Sequence, residues 1–230
     1  MLVDHAGVAL YHSQRIGWVL YRVMRITGRL AFPIFCFQLI EGARYTKKKW
    51  WYLLRLVILA VISEAFFDRT LFGSFWDPGH QNVFFTLALG LLSVFVLQWA
   101  IARPKKKWAV TIPLFLAALA ALSLLAELVL HTDYGAAGVL QIGLMGILLL
   151  PFDGLRKRGF PDWLIRVLGC IPGILVCAAI CGGSEWFAFA ALLPIALYNG
   201  QKGYSSKVLQ YGLYFFYPVH LILLSLLLIF

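Results

Sequence analysis

The sequence has 230 residues, of which 62% are hydrophobic, and it carries 20 Lys and Arg against 10 Asp and Glu. With a mean hydropathy of +0.84, the chain is too apolar to bury its hydrophobic surface in a water-soluble core. The net charge of +10 does not indicate nucleic-acid binding, because the cations lie in short loops between apolar segments. The four cysteines lie in apolar runs without a CxxC pair, which predicts neither disulfide bonds nor a metal site.

The apolar segments predict an all-α, polytopic transmembrane helix bundle of about nine spans, forming a single integral membrane domain over residues 1–230. The first segment, 1–11, is shorter than the roughly 20 residues that cross a bilayer, so it is expected to be a partial helix or one whose start is missing. The other predicted spans are 26–43, 50–67, 82–102, 108–130, 136–152, 163–181, 185–198 and 208–230. The short span 185–198 is interpreted as untilted or re-entrant.

Charge alternates between successive loops. The loops after the second, fourth, sixth and eighth spans are basic, whereas the loops between them contain only Arg69. The positive-inside rule therefore predicts that the basic loops lie on the cytoplasmic side of the cell (inner) membrane, with the amino terminus inside and the carboxyl terminus outside. Lys47, Lys105 and Lys157 are expected on the cytoplasmic side and Gly135 on the opposite side. The segment 11–25 is discordant, because it holds arginines on the outer side, and we interpret it as part of an extracytoplasmic anion site.

The stretch 22–49 carries ionisable groups into an apolar span. Arg22, Arg25 and Arg29 recur at i, i+3 and i+7, so on one helix they would share a face directed at a polar groove or an anionic ligand. The alternative is that these arginines reach the lipid headgroups. Arg29 and Glu41 lie inside the apolar run, where a charge is costly unless it has a partner or faces a cavity.

The first helix contains Asp4 and His5, and a neutral histidine is a competent general base near pH 7. Neighbouring helical residues point about 100 degrees apart, so Asp4 is predicted to pair with Arg25 or Arg29 across the bundle. The alternative is that both residues lie in water at a frayed terminus.

Two later spans also carry polar groups. Asn82 opens the fourth span at its outer end and is a candidate ligand, while Thr86, Gly90 and Ser93 form a stripe that either packs helices closely or lines a cavity. The last span contains Tyr217, Pro218 and His220, where proline lets the helix bend near a site. His220 is interpreted as a binding residue or a hydrogen-bonded structural residue.

Several motifs occur in order along the chain. They are the Asp4–His5 pair, RITGRLAFPIFCFQLIEG at 25–42 with its basic loop, Ser63–Glu64, NVFFTLALG at 82–90, DYGAAGVL at 133–140 and YPVHL at 217–221. This ordered set covers nearly the whole chain and resembles the TraX family. The resemblance implies amino-terminal acetylation of conjugative pilin, with acetyl-CoA as co-substrate, and a more distant similarity to transmembrane acyltransferases. Family members usually have more apolar residues ahead of the aspartate–histidine pair.

The expected function is transfer of an acetyl group from cytoplasmic acetyl-CoA to an acceptor amine or hydroxyl at the extracytoplasmic side, either a peptide amino terminus or an envelope glycan. The residue types suit this chemistry, which needs a base and donors for an oxyanion. The predicted catalytic residues are His5, as base or transient acyl acceptor, with Asp4 and Arg29. The predicted substrate-binding residues are Arg25, Glu41, Asn82, Tyr217 and His220, and the predicted contacts for the coenzyme phosphates are Arg44, Lys47, Lys48, Lys49 and Arg55. A small-solute transporter and a non-catalytic envelope assembly protein are the alternatives.

Overall fold

The computed structural model describes residues 1–151, 159–201 and 206–227, and in these ranges the only β-type pairing is an isolated bridge between Gln81 and Thr132. The α-helices in this part of the chain are α1 (Leu2–His12), α2 (Trp18–Gly28), α3 (Ala31–Tyr45), α4 (Lys49–Phe72), α5 (Val83–Ile101), α6 (Trp108–Leu124), α7 (Gly135–Leu149), α8 (Asp162–Cys181), α9 (Leu192–Leu197) and α10 (Lys207–Leu227). Short 3₁₀ helices cover Lys105–Lys107 and Gly183–Ala191, and a π-helical turn covers Leu125–Val129.

Five helical segments are long and apolar enough to cross a bilayer, namely Trp18–Tyr45, Lys49–Phe72, Val83–Ile101, Lys105–Val129 and Asp162–Cys181. Three further apolar helices, Gly135–Leu149, Gly183–Leu197 and Tyr214–Leu227, are shorter. The prediction of a helical membrane bundle is therefore confirmed. Of these three, Gly183–Leu197 corresponds to the span 185–198, which the sequence already predicts to be short.

The second span differs most from its predicted extent. It begins at Trp18 rather than at residue 26, because α2 runs up to Gly28 and α3 resumes at Ala31. Arg22 and Arg25 therefore lie on the helix, not in an outer loop. Helix α2 packs closely on α1 at Gly28, where an added Cβ would lie only 2.4 Å from the Cβ of Asp4. This close approach places the α2–α3 junction beside the aspartate–histidine pair.

Helices α5 and α7 pack in the centre of the bundle. An added Cβ at Gly90 would lie 2.2 Å from Cδ1 of Ile142. The Thr86 hydroxyl is hydrogen-bonded to that of Thr132 at 2.9 Å, and the Ser93 hydroxyl donates to the Gly90 carbonyl at 2.7 Å. Of the two interpretations of this small and polar stripe, close helix packing is the one that the structure supports.

The helix ends form two groups. At one end, Gln98 donates to the Ala43 carbonyl at 2.9 Å and Arg44 donates to the Leu149 carbonyl. These contacts bring together the ends that lead into basic loops. At the other end, the Asp133 amide donates to the Gln81 carbonyl at 2.8 Å. The assignment of the basic end to the cytoplasm stays a prediction, and the basic residues Arg156, Lys157, Arg158 and Lys202 lie outside the described ranges.

Candidate functional site

Two histidines from opposite ends of the chain meet inside the bundle. His5 on α1 and His220 on α10 are only 5% and 3% exposed, and Nδ1 of His5 lies 2.9 Å from Nε2 of His220. Their ring planes are within 8° of each other. Phe67 and Tyr217 pack edge-on against the His5 ring, so the pair is enclosed by aromatic side chains. The frayed-terminus alternative for His5 is therefore wrong, because helix packing buries it.

The hydrogen-bond partners of His220 determine which nitrogen of His5 is free. Nδ1 of His220 lies 2.9 Å from the Phe216 carbonyl oxygen, which can only accept a hydrogen bond. Nδ1 of a neutral His220 therefore carries the proton, and its Nε2 accepts from Nδ1–H of His5. In a neutral His5 this leaves the lone pair on Nε2. The chain of contacts thus leaves Nε2 of His5 as the nitrogen that can accept a proton.

A network of buried charges adjoins the histidine pair along α1. Asp4 pairs with both arginines, with one carboxylate oxygen 2.7 Å from Nη1 of Arg25 and the other 3.4 Å from Nη2 of Arg29. This confirms the predicted pairing of Asp4 across the bundle. Nη1 of Arg29 also lies 2.5 Å from the Glu185 carboxylate, at the start of the segment between α8 and α9. Arg29 is 7% exposed and thus faces neither lipid nor headgroups.

Two buried donors in this region have no hydrogen-bond partner among the described residues. They are Nε of Arg29 and the hydroxyl of Tyr217. Tyr217 packs edge-on against both histidine rings, at centroid distances of 5.7 Å from His5 and 5.1 Å from His220. Buried polar atoms normally have partners, and those without one often mark a binding or catalytic position. These two atoms are therefore candidates for contact with a ligand.

The three arginines predicted to share one face take different positions. Arg22 is exposed and its guanidinium lies 5.5 Å from the centre of the Trp18 ring, which fits the headgroup alternative. Arg25 is partly buried and Arg29 is buried, and both contact Asp4. The expected single face therefore holds for Arg25 and Arg29 only.

Asn82 has a structural role, because it connects the start of α5 to α4. It is fully buried, its side-chain oxygen caps α5 by accepting from the Phe84 amide, and its side-chain nitrogen donates to the Ala60 carbonyl and to the Glu64 carboxylate. These contacts engage both the oxygen and the nitrogen of the Asn82 amide, so the side chain stabilises the start of α5.

Glu41 and the predicted coenzyme cations lie elsewhere. Glu41 is on α3, roughly 18 Å along the helix direction from Arg29, and its carboxylate lies 3.5 Å from Nε of Arg44. Lys47 and Lys48 are exposed in the loop before α4, while the ammonium of Lys49 lies 5.5 Å from the Phe95 ring centre. Arg55 is exposed on α4.

Two residues of the charge network were not predicted. Glu185 was interpreted only as the start of a short span, and Tyr134, whose hydroxyl accepts a hydrogen bond from Arg29 at 3.1 Å, only as part of a motif. The sequence offers one signal for each residue. Glu185 is an acidic residue that opens an apolar run shortly after two glycines, and Tyr134 follows an aspartate just before a helix. Neither signal identifies a partner. Among the described residues, no three His, Cys, Asp or Glu side chains are grouped as metal ligands.

Comparison with known proteins adds a family relationship. The family model described as TraX protein matches residues 1–228. Among curated proteins, the Dichelobacter nodosus protein named "Probable fimbrial assembly protein FimC, serogroup H1" is 28% identical over 247 residues, covering 97% of this chain and 89% of the relative. No solved structure matches the chain.

Proposed function

The chain belongs to the TraX family, and on this premise we propose that it is a membrane-embedded acyltransferase that moves an acetyl group from cytoplasmic acetyl-CoA to an extracytoplasmic amine or hydroxyl. The observation that carries the proposal is the buried histidine pair, in which the Phe216 carbonyl and His220 orient His5. A base in a site of low water content is what such a transfer requires. An assembly role alone would not need two histidines aligned within the bundle.

The proposed reaction uses His5 as general base. The acceptor nitrogen or oxygen attacks the thioester carbonyl carbon, and Nε2 of His5 takes the proton that the acceptor loses as the new bond forms. The carbonyl oxygen becomes an oxyanion, for which the Tyr217 hydroxyl and Nε of Arg29 are donors without a partner in the described part of the chain. The oxyanion then re-forms the carbonyl, the carbon–sulfur bond breaks, and the thiolate leaves with the proton returned by His5.

The other charges of the site have a positioning role in this proposal. Asp4 and Glu185 hold the Arg29 guanidinium from two sides. Carboxylate partners also offset the cost of keeping an arginine in a buried position. Arg29 is thereby held in place before substrate binds, and preorganised donors of this kind contribute most to stabilising a developing charge.

The test compares histidines on the same helix. Envelope peptides and glycans from cells that produce each variant are examined by mass spectrometry for gain of one acetyl group. His5→Gln is expected to lower acetylation at least ~100-fold, whereas His12→Gln, at an exposed histidine near the end of α1, should leave it unchanged. Thermal unfolding of each purified variant checks that the fold is retained. Wild-type acetylation by His5→Gln would refute the proposed base.

The orienting role of His220 has its own test. His220→Gln keeps an acceptor for Nδ1–H of His5, while His220→Phe removes it and retains an aromatic ring. We expect acetylation by His220→Gln to exceed that by His220→Phe by about tenfold, the usual value of a hydrogen bond that acts on the reacting group. If His220 acted only by filling space, His220→Phe would instead retain more acetylation than His220→Gln.

A second candidate function is a non-catalytic role in fimbrial assembly. It is favoured by the similarity to a relative whose name describes probable fimbrial assembly. This candidate predicts that fimbriae are lost when the gene is deleted, that His5→Gln restores them fully, and that no envelope molecule loses an acetyl group. The mass comparison described above therefore separates the two functions.

A further inference from the structure

A second feature of the bundle is a cavity beside α3 whose wall includes the core residues Phe37 and Ile195. It has a volume of about 660 Å³ and lies between α3 and the segment that contains α9, and we term it the α3 cavity. Most of its wall is apolar, contributed by Ile34, Phe37, Pro194 and Ile195, while Gln38 and Glu41 are polar. A cavity of this size and character is suited to a small organic ligand.

The α3 cavity runs along the same elements that carry the charge network. Its first lining residue on α3, Ile34, is five positions beyond Arg29, or roughly 7 Å along a helix axis. The segment on its opposite wall is the continuation of the 3₁₀ helix that supplies Glu185. One end of the cavity therefore approaches the Arg29 site, and the other, at Tyr45 and Gly200, reaches the basic end of the bundle.

Two arginines adjoin that basic end. Arg166 on α8 stacks over Tyr198, 5.6 Å from its ring centre, and a Cβ at Gly200 would lie 4.0 Å from its Nη1. Arg44 lies between the lining residues Glu41 and Tyr45 in sequence. Nε of Arg166 is buried and lacks a hydrogen-bond partner among the described residues, whereas Nε of Arg44 faces the Glu41 carboxylate at 3.5 Å. Unpaired guanidinium donors are suited to an oxyanion such as a phosphate.

The polar lining is compatible with such a ligand. The Glu41 carboxylate lies 3.5 Å from Nε of Arg44, so its charge is compensated within the wall. Gln38 is an exposed amide in the middle of an apolar helix, a placement that is costly in lipid and is offset if the amide contacts a polar group of a ligand. The cavity thus combines an apolar wall, the neutral amide of Gln38 and the cation of Arg166 at its basic end.

We propose that the α3 cavity binds an amphiphile, with an uncharged arm between α3 and α9 and a phosphate-bearing head at Arg166. Its role as the route of the acyl donor to the Arg29 site rests on the proposed function. Two sources share this chemistry: a coenzyme A thioester from the aqueous phase and a membrane phospholipid.

The experiment uses the full chain in detergent with two probes. S-ethyl coenzyme A, a thioether that cannot transfer its ethyl group, is titrated by calorimetry, and phosphatidylglycerol that copurifies with the protein is quantified by mass spectrometry. Gln38→Trp fills the cavity and Arg166→Gln removes a head contact. Val61→Trp on α4 and Arg103→Gln in the loop after α5 are matched controls at exposed positions that do not line the cavity.

Both cavity variants are expected to weaken thioether binding by about tenfold or more, since each loses a packed arm or a charge-assisted contact. The controls should bind within about twofold of wild type. Loss of phosphatidylglycerol from the cavity variants, with thioether affinity unchanged, would support the site and identify the lipid as its source. If neither probe distinguishes the cavity variants from the controls, the proposal is overturned.

Acetyl transfer is measured separately on the same proteins. Transfer that survives both cavity variants, with probe binding unaffected, would refute the α3 cavity and leave the proposed function standing. A wild-type protein that binds the thioether in the cavity yet acetylates nothing would refute the function and leave the site.

Discussion

The ion pair between Arg29 and Glu185 allows a quantitative prediction about stability. Their side chains are 8% and 9% exposed and their charged atoms are 2.5 Å apart, so solvent screens the pair little. Arg29→Met leaves Glu185 buried without its cation, whereas Asp4 keeps Arg25 at 2.7 Å. Removing one partner of a buried pair typically costs about 3 to 5 kcal/mol. We expect a loss of folding stability in this range.

The double variant Arg29→Met/Glu185→Leu tests the cause of that loss. It removes the stranded carboxylate as well, and apolar replacement of a buried pair is often close to neutral. The double variant should therefore recover at least about 2 kcal/mol relative to Arg29→Met. Unfolding by denaturant in detergent gives the free energies, with the exposed Arg22→Met expected to change stability by less than about 0.5 kcal/mol. A double variant no more stable than Arg29→Met would refute this explanation.

Three further predictions concern a buried hydroxyl, a close helix contact and the topology. Tyr217→Phe removes a buried hydroxyl that has no hydrogen-bond partner among the residues described, so unfolding should show a gain of about 1 kcal/mol while acetyl transfer falls. A loss of stability would show that the hydroxyl is paired. Gly28→Val would push against Asp4 and should cost about 1 to 3 kcal/mol in the same assay, and unchanged stability would contradict the close packing of α1 on α2. Cysteines introduced at Lys105 and Ser74 should be labelled from opposite sides of the membrane. Ser74 is used as the outer position in place of Gly135, because Gly135 has a φ of +49°, which strains any other residue. Labelling of both cysteines from the same side would overturn the topology.

The positions of the helices could mostly be predicted from hydrophobicity. The predicted span 50–67 lies within α4, and the predicted span 163–181 nearly coincides with α8. The second span is predicted to start at residue 26, after the arginines of the segment 11–25, whereas the helix starts at Trp18. In the structure, Asp4 neutralises Arg25 and Arg22 remains exposed, so the helix extends over both residues.

The sequence by itself determined which residues require explanation. A charge or an imidazole in an apolar span is costly wherever the span packs, and this property alone singled out Asp4, His5, Arg29 and His220. It depends only on the residue and its immediate neighbours, so it can be inferred from the order of residues.

Only the tertiary structure decided which partner offsets the free-energy cost of each buried charge or imidazole. His5 and His220 are 215 positions apart. Glu185 pairs with Arg29 from a short 3₁₀ helix, and the sequence of that segment does not indicate a partner. The Asn82 amide, equally plausible as a ligand, caps a helix instead. Hydrogen bonds and ion pairs act over a few ångströms, so the partner of a buried group depends on how distant helices pack, which hydrophobic periodicity does not specify.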